Sequence, residues 1–330
     1  MRIETLPQLP KPLPRIIVGT ASMGSVLPAP FVSQASKQDS FRLLDGFLDL
    51  GLTAFDTAAL YQAGGTERLL GEWQTDRRNR DRLFLITKGG HPNVVFNSSR
   101  FSAAAVAEDL HGSLRRLRTD HIDLYLLHRD DPSRPVDEVI GLLARFQREG
   151  KIRAYGVSNW SVERIDGAVG FARDRNLPIV AVNSPHYSLL DWVTPPWPGC
   201  VSLAGNEARA ARAYHTRTQL PVLAWSSLGH GFFSDRLVEN TRPGLLDLKT
   251  RAALDTYGSP ANFARRARAT EVGQKHGMSA AQIALAYLFH QPFPVFAVVA
   301  SSTAEKMKRN VVAAGLSLTP DEIRFLEQTT

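Results

Sequence analysis

Gly19-Thr20-Ala21-Ser22-Met23-Gly24 follows the first apolar run of the chain, Arg15–Gly19, and its reading decides the fold. A nucleotide-binding open sheet is expected to carry G-x-G-x-x-G at this turn, where the glycines let the backbone approach a pyrophosphate. Here the third position of that pattern is Ala21, so the fingerprint is absent. Seven further short apolar runs follow: Thr53–Asp56, Leu83–Thr87, Ile122–Leu127, Arg153–Val157, Ile179–Val182, Val222–Trp225 and Val295–Val299. They are bounded by turn residues and mostly apolar, as strands buried on both faces are. Between them lie segments with apolar residues at helical spacing, including Phe41–Leu50, Ala103–Leu117, Val136–Arg148, Val162–Arg173 and Ala280–Phe289. Ser102 and Ser279 stand where N-caps are expected. Strand–helix alternation implies parallel strands joined by right-handed crossovers, and eight such units close a barrel. The fold expected is a (β/α)8 TIM barrel, with residues 1–330 as one domain. Two long connections, Leu190–Asn206 and Phe232–Asn262, are expected as loops shaping a site on its C-terminal face.

Composition narrows the function. The 330 residues are 43% hydrophobic and 22% charged, an ordinary globular balance. The net charge of +7 is dispersed, with no long basic run interleaved with aromatics, so no nucleic acid is expected as a partner. Cys200 is the single cysteine, which excludes an intrachain disulfide and a cysteine-cluster zinc site, and no metal is expected. Met1–Arg15 is polar and proline-rich, without the apolar core of a secretory signal, and no run is long enough to span a bilayer. A cytoplasmic protein, without a membrane or obligate protein partner, is the expectation.

Polar residues gather at strand ends. Asp56 ends the second run and Tyr61 follows it; Lys88 ends the third and His128 the fourth; Ser158 and Asn159 end the fifth, Asn183 the sixth, and Trp225 and Ser226 the seventh. Each alone has an ordinary structural explanation. Together, four ionisable groups converge from three successive strand ends on what would be one mouth of a barrel. Reducing a carbonyl needs a hydride on carbon and a proton on oxygen. A free tyrosine, with a pKa near 10, is a poor acid at neutral pH, and a nearby ammonium lowers that value while a carboxylate keeps the ammonium charged. Asp56, Lys88 and Tyr61 fit such a relay, and a neutral His128 fits a hydrogen-bond donor to the substrate oxygen.

These motifs resemble the aldo-keto reductase family. Its pieces stand in order as Phe55-Asp56-Thr57-Ala58-x-x-Tyr61 with Thr66-Glu67, Thr87-Lys88, Leu127-His128, Gly156-Val157-Ser158-Asn159, Ala224-Trp225-Ser226-Ser227-Leu228-Gly229 and Asn310. The run Arg129-Asp130-Asp131-Pro132 after His128 is similar to the bacterial branches of the family. The resemblance implies a carbonyl reductase with Asp56, Tyr61, Lys88 and His128 as catalytic tetrad and Tyr61 as general acid. It implies that Ser158, Asn159 and Asn183 bond the nicotinamide carboxamide, and that Trp225 stacks on its ring. Ser226, Leu228 and Gly229 would hold the pyrophosphate; Ser301, Lys306 and Asn310 would take the adenosine end. Basic Lys306 and Arg309 favour NADP(H), with NAD(H) left open. His91, Phe96 and Trp160 are expected in the wall of the pocket for a small carbonyl substrate. Two other readings stay open: a Schiff-base lyase using Lys88, and an NADP-binding redox-sensing subunit with little turnover.

Overall fold

A computed structural model describes residues 3–26, 34–93, 98–234, 237–239, 241–242, 244 and 247–328. Two short strands, β1 (Ile3–Glu4) and β2 (Leu13–Pro14), pair antiparallel ahead of the barrel. Eight parallel strands then close on one another: β3 (Ile16–Gly19), β4 (Ala54–Asp56), β5 (Phe84–Gly89), β6 (Ile122–Leu127), β7 (Ile152–Ser158), β8 (Asn183–Ser184), β9 (Val222–Ala224) and β10 (Val295–Val299). β10 completes the ring by pairing with both β3 and β9. The expected (β/α)8 barrel is therefore the observed fold. Seven of the eight expected strands sit where their apolar runs are. The exception is the sixth: the ladder forms at Asn183–Ser184, just beyond the expected Ile179–Val182.

Helices cover the outside. They are α1 (Gln34–Asp49), α2 (Gly65–Arg77), α3 (Ala103–Leu117), α4 (Val136–Arg148), α5 (Val162–Asp174), α6 (Arg209–Thr218), α7 (Leu248–Tyr257), α8 (Pro260–His276), α9 (Ala280–Phe289), α10 (Ala304–Ala313) and α11 (Pro320–Glu327). Local chemistry sets several of their ends. Ser102 accepts from the Ala105 N–H at 3.3 Å. Ser279 and Gln282 form a reciprocal capping box at the start of α9. Of the two long connections, Leu190–Asn206 runs without helix or strand, whereas the second contains α7 and the first turn of α8.

The interior has two apolar layers. Between barrel and helices lies the larger one, with Phe41, Phe47, Trp73, Tyr125, Phe146 and Tyr155 among its buried rings. Inside the barrel Ile17, Phe84, Ile86, Leu124, Leu126, Leu223 and Phe296 fill the axis, as inward side chains of a closed barrel do. Leu6, Leu9 and Leu13 from the N-terminal hairpin join that inner layer and plug the end opposite the strand C-termini. Arg15 fastens the plug: its Nε donates to Glu4 at 2.7 Å and its Nη1 to the Val295 carbonyl at 2.7 Å. The proline-rich start of the chain is thus a structural stopper.

Leu13 is fully buried, whereas Leu248 is 69% exposed. Leu13→Ala is expected to lower the free energy of urea unfolding by about 2–5 kcal/mol, through lost transfer and a residual cavity. Leu248→Ala is expected to stay within about 0.5 kcal/mol of the parent. Equal losses from the two would remove the plug from the barrel core.

Candidate active site

The loop after β3 builds the floor on which the site stands. Thr20 is buried and holds the end of β4, its N–H and hydroxyl both donating to the Asp56 carbonyl at 3.0 and 2.7 Å. Thr66 donates to the Met23 carbonyl at 2.7 Å, tying the start of α2 to the same loop. Gly24, at φ +83°, lies so close to Gly65 that a Cβ would stand 2.8 Å from the Gly65 carbonyl. The stretch that lacks the phosphate-binding pattern is therefore a packing element, and it fixes the turn carrying Tyr61.

The four ionisable groups meet. Lys88, inside β5, places its ammonium 2.7 Å from Asp56, 2.9 Å from the Thr57 carbonyl and 3.4 Å from the Tyr61 hydroxyl. The ammonium also lies 5.0 Å from the centre of the Tyr61 ring. Beyond the end of β6, the His128 ring meets the Tyr61 ring edge-on at 5.7 Å. Asp56, Lys88 and His128 are buried. β4, β5 and β6 are adjacent, so the convergence follows from consecutive strand ends.

Electrostatics departs from the expectation in one respect. Burial pushes the Tyr61 phenol above its usual range, and the pull of Lys88 does not reverse it. The ammonium alone would lower the phenol, but desolvation of the phenolate is the larger effect here. Burial also raises Asp56 against the opposing charge of Lys88. Burial works against the Lys88 charge, yet Asp56 and Tyr61 outweigh it and hold the ammonium above its ordinary value. His128 is held well below the normal imidazole range by burial, helped by the charges of Lys88, His91 and Arg129. It is the neutral imidazole that was expected, and its Nδ1 is buried without a partner among the described residues.

The other expected positions divide. Ser158 donates to the Ser184 carbonyl at 2.7 Å, and Asn159, in the left-handed region at φ +61°, donates to Ser158 at 2.9 Å. Both stand at the C-terminal end of β7, beside His128, whose carbonyl Asn159 approaches at 3.4 Å. Asn183 is a correction. Its Nδ2 donates to His215 Nε2 of α6 at 3.2 Å, so the side chain faces the helix layer and not the mouth. Asn183 pairs with Val157 and Val222, both in the layer between barrel and helices, so its side chain points outward and alternation gives the mouth-side position to Ser184. Trp225 is partly exposed, next to Trp192 at 5.8 Å and Trp197 at 6.2 Å, both on the Leu190–Asn206 connection expected to shape the site.

Ser226, Ser227 and Leu228 follow Trp225, and their backbone N–H groups donate to no partner among the described residues. Ser226 at φ +52° and Gly229 at φ +56° curl this segment into a concavity of N–H groups suited to a phosphate. A Cβ at Gly229 would stand 2.5 Å from Leu190 Cδ1, so glycine is required there by space as well as by φ. Ser301 caps its own turn by accepting from the Thr303 N–H at 3.4 Å. Lys306 is exposed on α10, its ammonium 3.2 Å from Ser302, with Asn310 one turn further on. Trp160 is fully buried, with Nε1 donating to the Arg129 carbonyl at 3.4 Å, and so does not line the pocket. His91 does stand at the mouth, its ring 4.9 Å from that of His128. Phe96 lies outside the described residues.

His186 ties the wall together. It stacks on Trp192 at 4.5 Å and bonds Ser202 at 2.8 Å and the Tyr257 hydroxyl at 3.0 Å. Burial drives its pKa down to about 3. Between that value and the ordinary 6.5 or so, the unfolded chain binds a proton that the fold refuses, so stability is full above the unfolded value and falls on acidification. His186→Gln is expected to reduce the slope of unfolding free energy against pH, from about pH 6 to 4, by about 1.4 kcal/mol per unit. Parallel curves for parent and variant would show that His186 is protonated in the fold.

Comparison with known proteins agrees with this architecture. Residues 15–329 match the model of the Aldo/keto reductase family. Norsolorinic acid reductase stcV of Emericella nidulans is 30% identical, over 90% of this chain and 73% of its own length. Protein tas of Escherichia coli is 26% identical, over 94% of this chain and 93% of its own. An aldo-keto reductase from Klebsiella pneumoniae, solved in complex with NADPH, superposes with a TM-score of 0.70 at 25% identity, covering 99% of this chain and 95% of its own. A match spanning nearly the whole barrel places this chain in the aldo/keto reductase family, oxidoreductases that act on carbonyl and alcohol groups.

Proposed function

We propose that the protein reduces an aldehyde or ketone with NADPH, reversibly, and that Tyr61 is the proton donor. The observation that carries the reading is the buried cluster in which Lys88 contacts Asp56 at 2.7 Å and Tyr61 at 3.4 Å, with His128 edge-on to the same phenol. The Ser226–Gly229 concavity, the partly exposed Trp225 face and the Ser158–Asn159 pair suit a phosphate-linked nicotinamide. When bound, that group supplies a hydride to the carbonyl carbon. Tyr61, kept protonated by burial, donates its proton to the carbonyl oxygen as charge develops there. Lys88 stabilises the phenolate that remains, and Asp56 keeps Lys88 charged and oriented. Neutral His128 donates a hydrogen bond to the same oxygen and fixes its position. A phenol raised above its usual range is a weaker acid than a neighbouring ammonium alone would make it, so the ammonium acts on the product of the transfer more than on the resting group.

Lys306 and Arg309, both exposed on α10, are assigned to the 2′-phosphate that distinguishes NADPH from NADH, with Ser301 and Asn310 beside the adenosine. The lyase reading fits poorly: Lys88 is already held by a carboxylate and a carbonyl, which keeps it an ammonium and not a nucleophilic amine. A redox-sensing subunit would bind cofactor without reducing aldehydes, and turnover separates the two.

Tyr61→Phe is expected to lower kcat by about 10²–10⁴-fold, the worth of a general acid, with NADPH affinity little changed because the ring is retained. Assay of an aldehyde and ketone panel at the nicotinamide absorbance checks this; full activity in the variant would defeat the assignment. Lys306→Ala combined with Arg309→Ala is expected to weaken NADPH binding by about tenfold or more relative to NADH. Equal losses for the two cofactors would move the 2′-phosphate contact elsewhere.

A further inference from the structure

Tyr61 and Lys88 come from different elements, so their spacing depends on what joins those elements behind the barrel wall. Lys88 is fixed on one side, with its ammonium 2.7 Å from Asp56 and 2.9 Å from the Thr57 carbonyl. Tyr61 opens a turn, Tyr61–Gly64, that runs directly into α2. Gln62 and Ala63, both at φ +50°, and Gly64 at φ +80° stand in the left-handed region, two of them without the freedom of glycine. Such a turn keeps its shape only where its surroundings hold it.

Glu67, in the first turn of α2, is fully buried. One of its carboxylate oxygens accepts from the Thr87 hydroxyl at 2.5 Å, and the other from Arg116 Nε of α3 at 2.7 Å. Thr87 precedes Lys88 on β5 and pairs with Tyr125 of the outer layer, so its side chain leaves the strand on the face opposite to Lys88. Arg116 in turn lies against the Tyr61 turn: a Cβ at Gly64 would stand 2.7 Å from its Cδ and 2.8 Å from its Nε. One carboxylate thus joins the strand carrying Lys88, the helix that continues from the Tyr61 turn, and a guanidinium packed on that turn. A buried ion pair adds little net stability over apolar side chains of the same volume, because desolvation offsets the attraction. Its directed bonds supply a fixed geometry instead.

We propose that Glu67 is a positioning residue for the proton transfer: the Arg116–Glu67–Thr87 chain sets the separation of the Tyr61 hydroxyl from the Lys88 ammonium. That separation, 3.4 Å, is the longest of the Lys88 contacts and lies near the limit of a hydrogen bond, so a small further displacement removes it. When Tyr61 gives its proton to the carbonyl oxygen, the ammonium stabilises the phenolate left behind according to how close the two stand. Loosening the chain lets α2 and its turn shift against β5, which weakens that stabilisation and leaves the cofactor contacts in place. This inference rests on the reductase reading above and adds to it a residue outside the mouth.

The test measures the single-turnover rate of NADPH oxidation by an aldehyde, with enzyme in excess, in wild type, Glu67→Met, Thr87→Val, Thr87→Ser and Asp123→Asn. Glu67→Met removes both bonds at nearly constant volume. Thr87→Val keeps the shape of the side chain without its hydroxyl, and decides alone if Glu67→Met does not fold. Each is expected to lower the rate by about 10- to 100-fold and to raise its solvent deuterium isotope effect. The NADPH dissociation constant is expected within about twofold of wild type in both. Thr87→Ser keeps the hydroxyl and is expected within about threefold of the wild-type rate. Asp123 is the control for mere loosening: it is a buried carboxylate of β6 that pairs with Arg80 at 2.9 Å and accepts from the Leu85 N–H at 2.9 Å, toward the other end of the same strands. Asp123→Asn is expected to lower Tm and leave the rate within about twofold. An unchanged rate in Thr87→Val, a rate in Thr87→Ser as low as in Thr87→Val, an equal loss in Asp123→Asn, or NADPH affinity that falls as far as the rate overturns the proposal. Tyr61→Phe separates it from the reading beneath it. A large loss in Tyr61→Phe with none in Thr87→Val refutes the positioning role alone. Full activity in Tyr61→Phe, or no aldehyde turned over by wild type, defeats the reductase reading and the positioning role with it.

Discussion

The Lys88 ammonium and the Asp56 carboxylate, 2.7 Å apart in the barrel mouth, are the constraint around which the rest of the site is arranged. Neither charge has much water, and an isolated buried ion would neutralise itself. Together they stay charged because Lys88 also spends a hydrogen bond on the Thr57 carbonyl, while Thr20 fixes the backbone of Asp56. Such a pair adds little net stability, since desolvation offsets attraction, but removing one partner strands the other charge at a cost of about 3–5 kcal/mol. The geometry of β4 and β5 is therefore locked to the chemistry: the strands cannot slip past one another without breaking the pair.

From that pair the electrostatics of the neighbours follow. A fixed positive charge and exclusion of water both favour neutral His128, so that imidazole is a hydrogen-bond donor and not an acid. For Tyr61 the two influences oppose one another, and burial prevails. The phenol is held above its usual range, and in the mechanism proposed above the ammonium stabilises the phenolate left by proton donation.

The barrel divides its labour between ends. At one end Leu6, Leu9 and Leu13 close the axis with apolar packing, and at the other the strand ends and the Leu190–Asn206 connection present polar and aromatic groups. The aromatic wall is positioned by buried His186, a neutral imidazole bonded through both ring nitrogens. The closed end supplies stability with no chemistry, and this frees the open end to carry strained, positive-φ residues such as Asn159 and Ser226.

Much of this was legible in the linear order of residues. Apolar runs of strand length, helical spacing between them, capping serines at 102 and 279, and the placement of Asp56, Lys88 and His128 at consecutive run ends depend on neighbours a few positions away. Adjacent parallel strands then convert consecutive ends into one cluster. Facing and burial are different, because they sum over residues distant in the chain. Pairing with outward-facing Val157 and Val222 turns Asn183 toward His215, and period-2 alternation then leaves Ser184 to face the mouth. The direction of the Tyr61 shift and the conversion of a proline-rich start into a plug both required the folded chain. The sequence by itself determined the barrel and the identity of its four ionisable groups, since those rest on local periodicity. Only the tertiary structure decided which groups are desolvated and which face the cavity, since water exclusion is a property of the whole surrounding shell.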